Sequence, residues 1–256
     1  MNYGLIGEKL GHSYSKEIHE QLADYTYDLC PLTKEEFVSF MEKKEFSAIN
    51  VTIPYKRDVI PYLSHMDDSA KAIGAVNTIV NRKGELHGYN TDLPGFVYMV
   101  KKNGIDMQNK KVVVLGNGGA AQAIKAAVKQ LGASEMVVVD VITEQEGVIS
   151  YEECFSTHTD AKIIINTSPV GMYPKCDASP VDLSLFPQCE AVLDVIYNPL
   201  TTKLVGQARE LGMIGVTGLE MLVAQAKYAV EIFLDVSIPE EKIDEIYQDI
   251  AKKHFQ

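Results

Sequence analysis

The sequence predicts an α/β protein of two domains, each built around a largely parallel sheet. Three observations carry that expectation. Short β-rich runs alternate with segments of helical period, a glycine-rich turn joins an apolar strand to an apolar helix, and 256 residues make two domains of roughly 100 to 150 residues each. Strands separated by helices require crossover connections, which parallel pairing needs.

The elements follow in order. Residues 2–7 (NYGLIG) read as a strand, 15–24 as a helix, 27–30 (YDLC) as a strand and 33–43 as a helix. Thr33 with Glu36 is a capping-box pattern that sets the start of the second helix. Residues 47–52 (SAINVT) form the next strand, and Pro54 leads a predicted helix that places Lys56 in its first turn. VNTIV at 76–80 is a strand, 81–84 a turn, and 91–103 a helix with Thr91 as its expected cap. After Gly104 come a strand (VVVL), a glycine turn, a helix and a second strand (MVVVD). Further strands are AKIIIN, AVLDV and MIGV, with a helix near 202–211. Helices at about 218–235 and 239–254 stand outside the alternation and are expected to pack back on the first domain. The predicted domains are therefore 1–103 with 218–256, and 104–217.

With 24 Lys and Arg against 35 Asp and Glu, the net charge is −11, which offers no footprint for nucleic acid or an anionic membrane. The start MNYGLIGEKLGH has neither a basic nor an apolar leader region, and no apolar run nears the roughly 20 residues that span a bilayer, so a cytoplasmic location is expected. A monomer or homodimer is the expected state. Cys30, Cys154, Cys176 and Cys189 are scattered without zinc spacing, and the six histidines form no H-x-x-x-H pair. Buried thiols and no metal site are expected.

Gly116-Asn117-Gly118-Gly119-Ala120-Ala121 matches G-x-G-x-x-A in a strand–turn–helix context, the dinucleotide-binding fingerprint of a Rossmann domain. The first glycine permits the tight turn, and the second lets a pyrophosphate approach backbone N–H groups. Asp140 closes the next strand about 20 residues past the turn, where an acid meets the adenosine ribose 2′-OH; a turn-capping role is the alternative. No Lys or Arg lies between Lys129 and Lys162, while Glu135, Asp140, Glu144, Glu146, Glu152, Glu153 and Asp160 do. This stretch favours NAD over a 2′-phosphorylated cofactor.

The first half holds a second set of polar residues. Ser13 and Ser15 precede a helix, where an N-cap role competes with holding a carboxylate or polyol. An ammonium in the first turn of a helix opposes the dipole, which leaves Lys56 two readings, a plain surface lysine or a group tuned for proton transfer. Asp92 opens another helix, as a cap residue or as a held carboxylate. Asn50, Thr52, Asn77 and Asn90 are expected at the carboxyl edge of the sheet.

These segments in this order (GLIG, HSYS, a later His, NVTIPYK at 50–56, GAVNT at 74–78, GYNTD at 88–92, GNGGAAQA, NTSPVGM at 166–172 and GLEMLVAQA at 218–226) resemble the shikimate dehydrogenase family over nearly the whole chain. The resemblance implies NADP-linked, reversible reduction of 3-dehydroshikimate to shikimate in aromatic amino-acid biosynthesis, with Lys56 and Asp92 as the catalytic pair. It further implies substrate contacts from Ser13, Ser15, Thr52, Asn77, Asp92, Tyr197 and Gln225. Cofactor contacts are implied for Gly116 to Ala121, for Asn166, Thr167 and Ser168, and for Gly218 beside the nicotinamide. The chain departs from the family at three places: Asp140-Val141-Ile142 replaces the frequent Asn-Arg-Thr segment, Lys16 a frequent proline and Glu20 a frequent asparagine. An NAD-linked quinate/shikimate dehydrogenase and a non-catalytic binding paralogue are the alternatives.

Overall fold

The computed structural model describes residues 1–11 and 13–255; His12, the first residue of the HSYS motif, lies outside the described residues. The chain divides into two compact units, Met1–Gly95 with Val223–Ile250, and Phe96–Leu222 with Ala251–Gln256.

The first unit runs β1 (Tyr3–Gly7), α1 (Ser15–Leu22), β2 (Tyr27–Pro31), α2 (Lys34–Lys43), β3 (Ala48–Val51), β4 (His65–Met66), α3 (Asp68–Ile73), β5 (Thr78–Arg82) and β6 (Glu85–Tyr89), then enters α4 (Asp92–Lys102). Its sheet has the order β2-β1-β3-β5-β6-β4, and β5 alone runs against the others. Period-two alternation covers both faces. Ile6, Ile49 and Ile79 pack with Phe37 and Met41 of α2 on one side. Their neighbours Leu5, Ala48 and Val80 pack on the other side with Ala229 and Phe233 of α8 (Leu219–Leu234). The first of the two C-terminal helices thus packs back on the first sheet, and from the second, α9 (Glu241–Phe255), Asp249 accepts from Gln21 at 3.0 Å. The predicted capping box forms at α2, with Thr33 Oγ1 accepting from Glu36 N at 3.3 Å and Thr33 N donating to Glu36 Oε2 at 2.8 Å.

The second unit is a Rossmann-type sheet, parallel throughout its described pairs: β7 (Lys111–Leu115), α5 (Gly119–Gln130), β8 (Glu135–Val139), β9 (Val148–Ile149), α6 (Tyr151–Thr157), β10 (Ile163–Asn166), β11 (Ala191–Asp194), α7 (Lys203–Glu210) and β12 (Ile214–Val216). The order β12-β11-β10-β7-β8-β9 reverses direction between β7 and β10. Ligands bind outside the carboxyl ends of strands at such a switch point. Val113, Leu115, Val139, Ile164 and Val192 form much of its core. Among the described residues no helix is long and apolar enough to cross a membrane.

Several expectations change. The predicted helix after Pro54 does not form: residues 53–59 are turns, followed by a 3-10 turn at Ile60–Tyr62. Lys56 therefore sits in no helix, and the dipole argument for it falls. The short helices α3 and α6 escaped the pattern because neither is long enough to show a period; Asp67 and Ser150 cap them. Of the thiols, only Cys154 and Cys189 are buried, while Cys30 and Cys176 are partly exposed.

Candidate active site

In the first unit the polar residues gather at one sheet edge. β1, β3 and β6 end there, and β5 begins there because it runs antiparallel, with Thr78 facing both Asn50 and Tyr89. Asn77, expected with Asn50, Thr52 and Asn90 at the carboxyl edge of the sheet, reaches that edge from the amino end of the antiparallel β5.

Lys56 Nζ donates to Asp92 Oδ2 at 2.6 Å, with the two side chains 14% and 11% exposed. The other carboxylate oxygen accepts from Asn77 Nδ2 at 3.0 Å. Asn77 Oδ1 in turn accepts from Thr91 N at 2.8 Å and Thr78 Oγ1 at 2.9 Å. Asn50 continues the chain inward, bonding Thr78 Oγ1 at 3.1 Å and accepting from Tyr27 Oη at 2.7 Å. A buried, mutually bonded network of this kind fixes its members' rotamers. The carboxylate is thus held from below, and the ammonium is held by the carboxylate.

The cap of α4 differs from expectation. Asn90 Oδ1 accepts from Asp92 N at 3.1 Å and Leu93 N at 3.4 Å, so Asn90 satisfies the first helical donors and Thr91 does not. Thr91 is turned to Asn77, and its hydroxyl lies 3.5 Å from Gln225 Oε1 on α8.

Ser15 is the first residue of α1 and makes no side-chain cap, contrary to its N-cap reading. Ser13 Oγ accepts from Ser15 N at 3.2 Å and donates to Ser15 Oγ at 3.0 Å, so the two hydroxyls form one pair. Thr52 follows β3, and a Cβ at Gly7 would meet its methyl at 2.6 Å, so the glycine makes room for Thr52 beside β1. The Lys16 and Glu20 departures explain each other. Lys16 Nζ bonds Glu20 Oε1 at 2.7 Å and Tyr27 O at 2.8 Å, and Glu20 Oε1 accepts from Tyr27 N at 3.1 Å, tying α1 to the edge of β2.

In the second unit the glycine turn follows β7. Gly116 has φ +95°, and a Cβ there would come within 2.9 Å of Ser168 N. Only glycine fits both constraints. Thr167 Oγ1 donates to Leu115 O at 2.8 Å and Gly116 O at 3.0 Å, locking the 166–168 segment against the turn. Asn166 Oδ1 accepts from Ser168 N at 3.0 Å and Ser168 Oγ at 2.7 Å, and its amide donates to Asp194 at 3.1 Å. Burial pushes the Asp194 carboxyl up to about 6 against bonds from Ile196 N, Thr202 and Asn166 that lower it.

At the start of α5, Gly118 makes no side-chain cap, and a Cβ on Gly118 or Gly119 would meet nothing within 4 Å. A twelve-residue helix that begins at an uncapped Gly118, with open space at the Cβ positions of Gly118 and Gly119, suits a pyrophosphate at its N-terminus. Ala120 and the fully buried Ala121 complete the turn into the helix.

Asp140 directly follows β8. Its Oδ2 accepts from Asn117 N at 2.6 Å and its Oδ1 from Ile142 N at 3.1 Å, so it braces the glycine turn as well as its own turn. Lys125, whose Nζ donates to Asn117 Oδ1 at 2.7 Å, and Gln145, which accepts from Asn117 Nδ2 at 2.6 Å, also join the turn, and the glycine and acid spacing does not point to either. Gln122 and Lys125 lie three apart on one face of α5 and both reach Asn117, a helical spacing that would have found them. Gly218 follows β12, and a Cβ there would collide with the Val195 carbonyl. Tyr197 also lies in this unit, in the loop after β11. It therefore belongs to a different unit from the serines with which it was expected to share a substrate.

A sequence-family model, the shikimate dehydrogenase substrate binding domain, matches residues 5–79. The chain is 37% identical to the shikimate dehydrogenase (NADP(+)) of Clostridium beijerinckii, covering 96% of each chain. Among solved structures it resembles a chorismate mutase/shikimate 5-dehydrogenase fusion protein from Clostridium acetobutylicum, with 39% identity, TM-score 0.92 and coverage of 98% of this chain and 97% of that one. It also resembles shikimate 5-dehydrogenase from Listeria monocytogenes in complex with shikimate and NAD, with 27% identity, TM-score 0.81 and coverage of 96% of both.

Proposed function

The chain belongs to the shikimate dehydrogenase family, and from that premise we propose that it catalyses the reversible nicotinamide-dependent reduction of 3-dehydroshikimate to shikimate. The observation that carries the reading is the Lys56–Asp92 pair, largely shielded from solvent and 2.6 Å apart, with Asn77 on the carboxylate oxygen Lys56 does not use. Reduction adds a hydride to the carbonyl carbon and a proton to its oxygen. The nicotinamide, when bound, carries the hydride. Lys56 Nζ gives the proton in reduction and takes it in oxidation, as general acid and base. Asp92 holds the ammonium and accepts from a substrate hydroxyl. Ser13, Ser15, Thr52, Asn77, Tyr197 and Gln225 bind the rest of the hydroxy acid. Residues 1–103 with 218–256 serve as the substrate-binding catalytic domain, a division supported by the family match at 5–79, and residues 104–217 serve as the dinucleotide-binding domain.

The cofactor seat is Gly116 to Ala121 with Asn166, Thr167, Ser168 and Gly218. The open space over Gly118 and Gly119 supports it. The relatives' names carry NADP; this chain should nevertheless use NAD at least as well. Asp140 stands beside the turn as an acceptor for ribose hydroxyls, and Lys125 donates to Asn117. A 2′-phosphate would face a carboxylate in a stretch without Lys or Arg from 130 to 161.

Steady-state rates on shikimate and quinate, each with NAD and with NADP, test both claims. Turnover of shikimate is expected. No turnover with either cofactor would overturn the dehydrogenase reading. A clear kcat/KM preference for NADP would overturn the Asp140 argument and leave the reaction standing.

A further inference from the structure

Away from these clusters, at the far edge of the first sheet, β4 is only two residues long and pairs in parallel with β6. His65 and His87 are register partners there, so their side chains leave the sheet on the same face, and their rings stack with centroids 4.6 Å apart. Glu85 lies two residues before His87 on the same strand and so on the same face. His65 Nε2 is 3.7 Å from Glu85 Oε2, and one ligating atom from each of the three residues lies within 4.8 Å of the others.

We propose that His65, Glu85 and His87 form a zinc-binding site that fastens the edge strand β4 to β6. Two imidazoles and one carboxylate are a donor set for zinc, whereas Mg²⁺ and Ca²⁺ prefer all-oxygen shells. Tetrahedral zinc with bonds of about 2.0 to 2.1 Å needs donors about 3.3 Å apart. The carboxylate–imidazole pair is already near that spacing. His65 and Glu85 are exposed, so rotation of the His65 ring out of its stack on His87, with rotation of the Glu85 side chain, can bring the three donors to one ion while water takes the fourth position. Zinc would bridge two strands where the backbone ladder is short, at a sheet end that otherwise presents an unpaired edge. The expectation that the chain holds no metal rested on spacing along the sequence, and it is the sheet register that brings these residues together.

The test uses the untagged full chain, metal-free, with Zn²⁺ affinity read by calorimetry and Co²⁺ as a visible-absorption probe. One Zn²⁺ per chain is expected, with imidazole-type Co²⁺ bands and a higher unfolding temperature. Mg²⁺ should produce no response. The double variant His65→Ala/His87→Ala should lose the site, and Glu85→Gln should weaken it by at least tenfold. Cys30→Ser/Cys176→Ser should bind as the parent does, which separates this site from adventitious thiol binding. Dehydrogenase activity of the parent and of each variant without added metal reports correct folding independently. Failure of the parent to bind Zn²⁺, or unchanged binding in the double histidine variant, would overturn the proposal.

Discussion

Lys56 and Asp92 meet at 2.6 Å from a loop of turns and from the start of a helix, so neither residue's own element explains the contact. If Lys56 moves the proton, Lys56→Ala should cut kcat by about 100- to 10,000-fold while changing substrate affinity far less. Turnover within a few-fold of the parent would show the role is misassigned. Asp92→Asn should also lower kcat, and the double variant should fall well short of the product of the two losses if the two residues act as a unit. Fully multiplicative losses would instead mean independent roles. Ser13→Ala, Ser15→Ala and Gln225→Ala should act mainly on KM, each by on the order of 1 kcal/mol. Since the serines bond each other, melting temperatures must be compared alongside. Unchanged KM in all three would remove them from the substrate site.

At the scale of elements, the second unit places each segment proposed to hold the cofactor just past the carboxyl end of a parallel strand, and the reversal of strand order brings the turn after β7 against the segment after β10. Cofactor choice is expected to reside in the turn after β8. Asp140→Ser with Val141→Arg, at a position whose side chain is highly exposed, should shift kcat/KM toward NADP by at least tenfold, a difference of about 1.4 kcal/mol. Because Asp140 also receives the Asn117 N–H, the double variant should weaken NAD binding as well; unchanged NAD kinetics would show that Asp140 touches neither turn nor ribose functionally. At α2, where the capping box forms as its sequence pattern predicts, Thr33→Ala should cost about 1 kcal/mol in unfolding measurements without altering activity.

At the scale of the whole molecule, two buried groups give stability opposite dependences on pH. His19 is fully buried, stacked on Tyr27, and burial lowers its pKa from 6.5 to about 3. The unfolded chain takes up that proton first, so this contribution is present above pH 6.5 and is lost as pH falls toward 3. Asp194 is raised from 3.8 to about 6, so its contribution is present below 3.8 and is lost as pH rises through 6. Each acts in its own unit. His19→Phe keeps a ring in the stack and removes the titration. Relative to the parent, its melting temperature should improve as pH drops from 7 to 4. An unchanged gap between the two proteins over that range would show that His19 is not held neutral.

Sequence alone determined the features that rest on local chemistry. The strand–helix alternation, the capping box at Thr33, the glycine at 116 and the parallel second sheet follow from periodicity, side-chain reach and the steric freedom of glycine, all set within a few residues. Motif order likewise marks Lys56 and Asp92, although no helix dipole acts on Lys56, because residues 53–59 form turns. Tertiary structure decided what depends on which strands become neighbours. The antiparallel β5 carries Asn77 and Thr78 to the edge where β3 and β6 end, so Asn77 can hold the Asp92 carboxylate. Asn90, not Thr91, caps α4, because Thr91 is drawn to Asn77 across the sheet. Register also sets His65 beside His87. No pattern of spacing along the chain encodes such pairings, because register is settled by burying whole sheet faces at once.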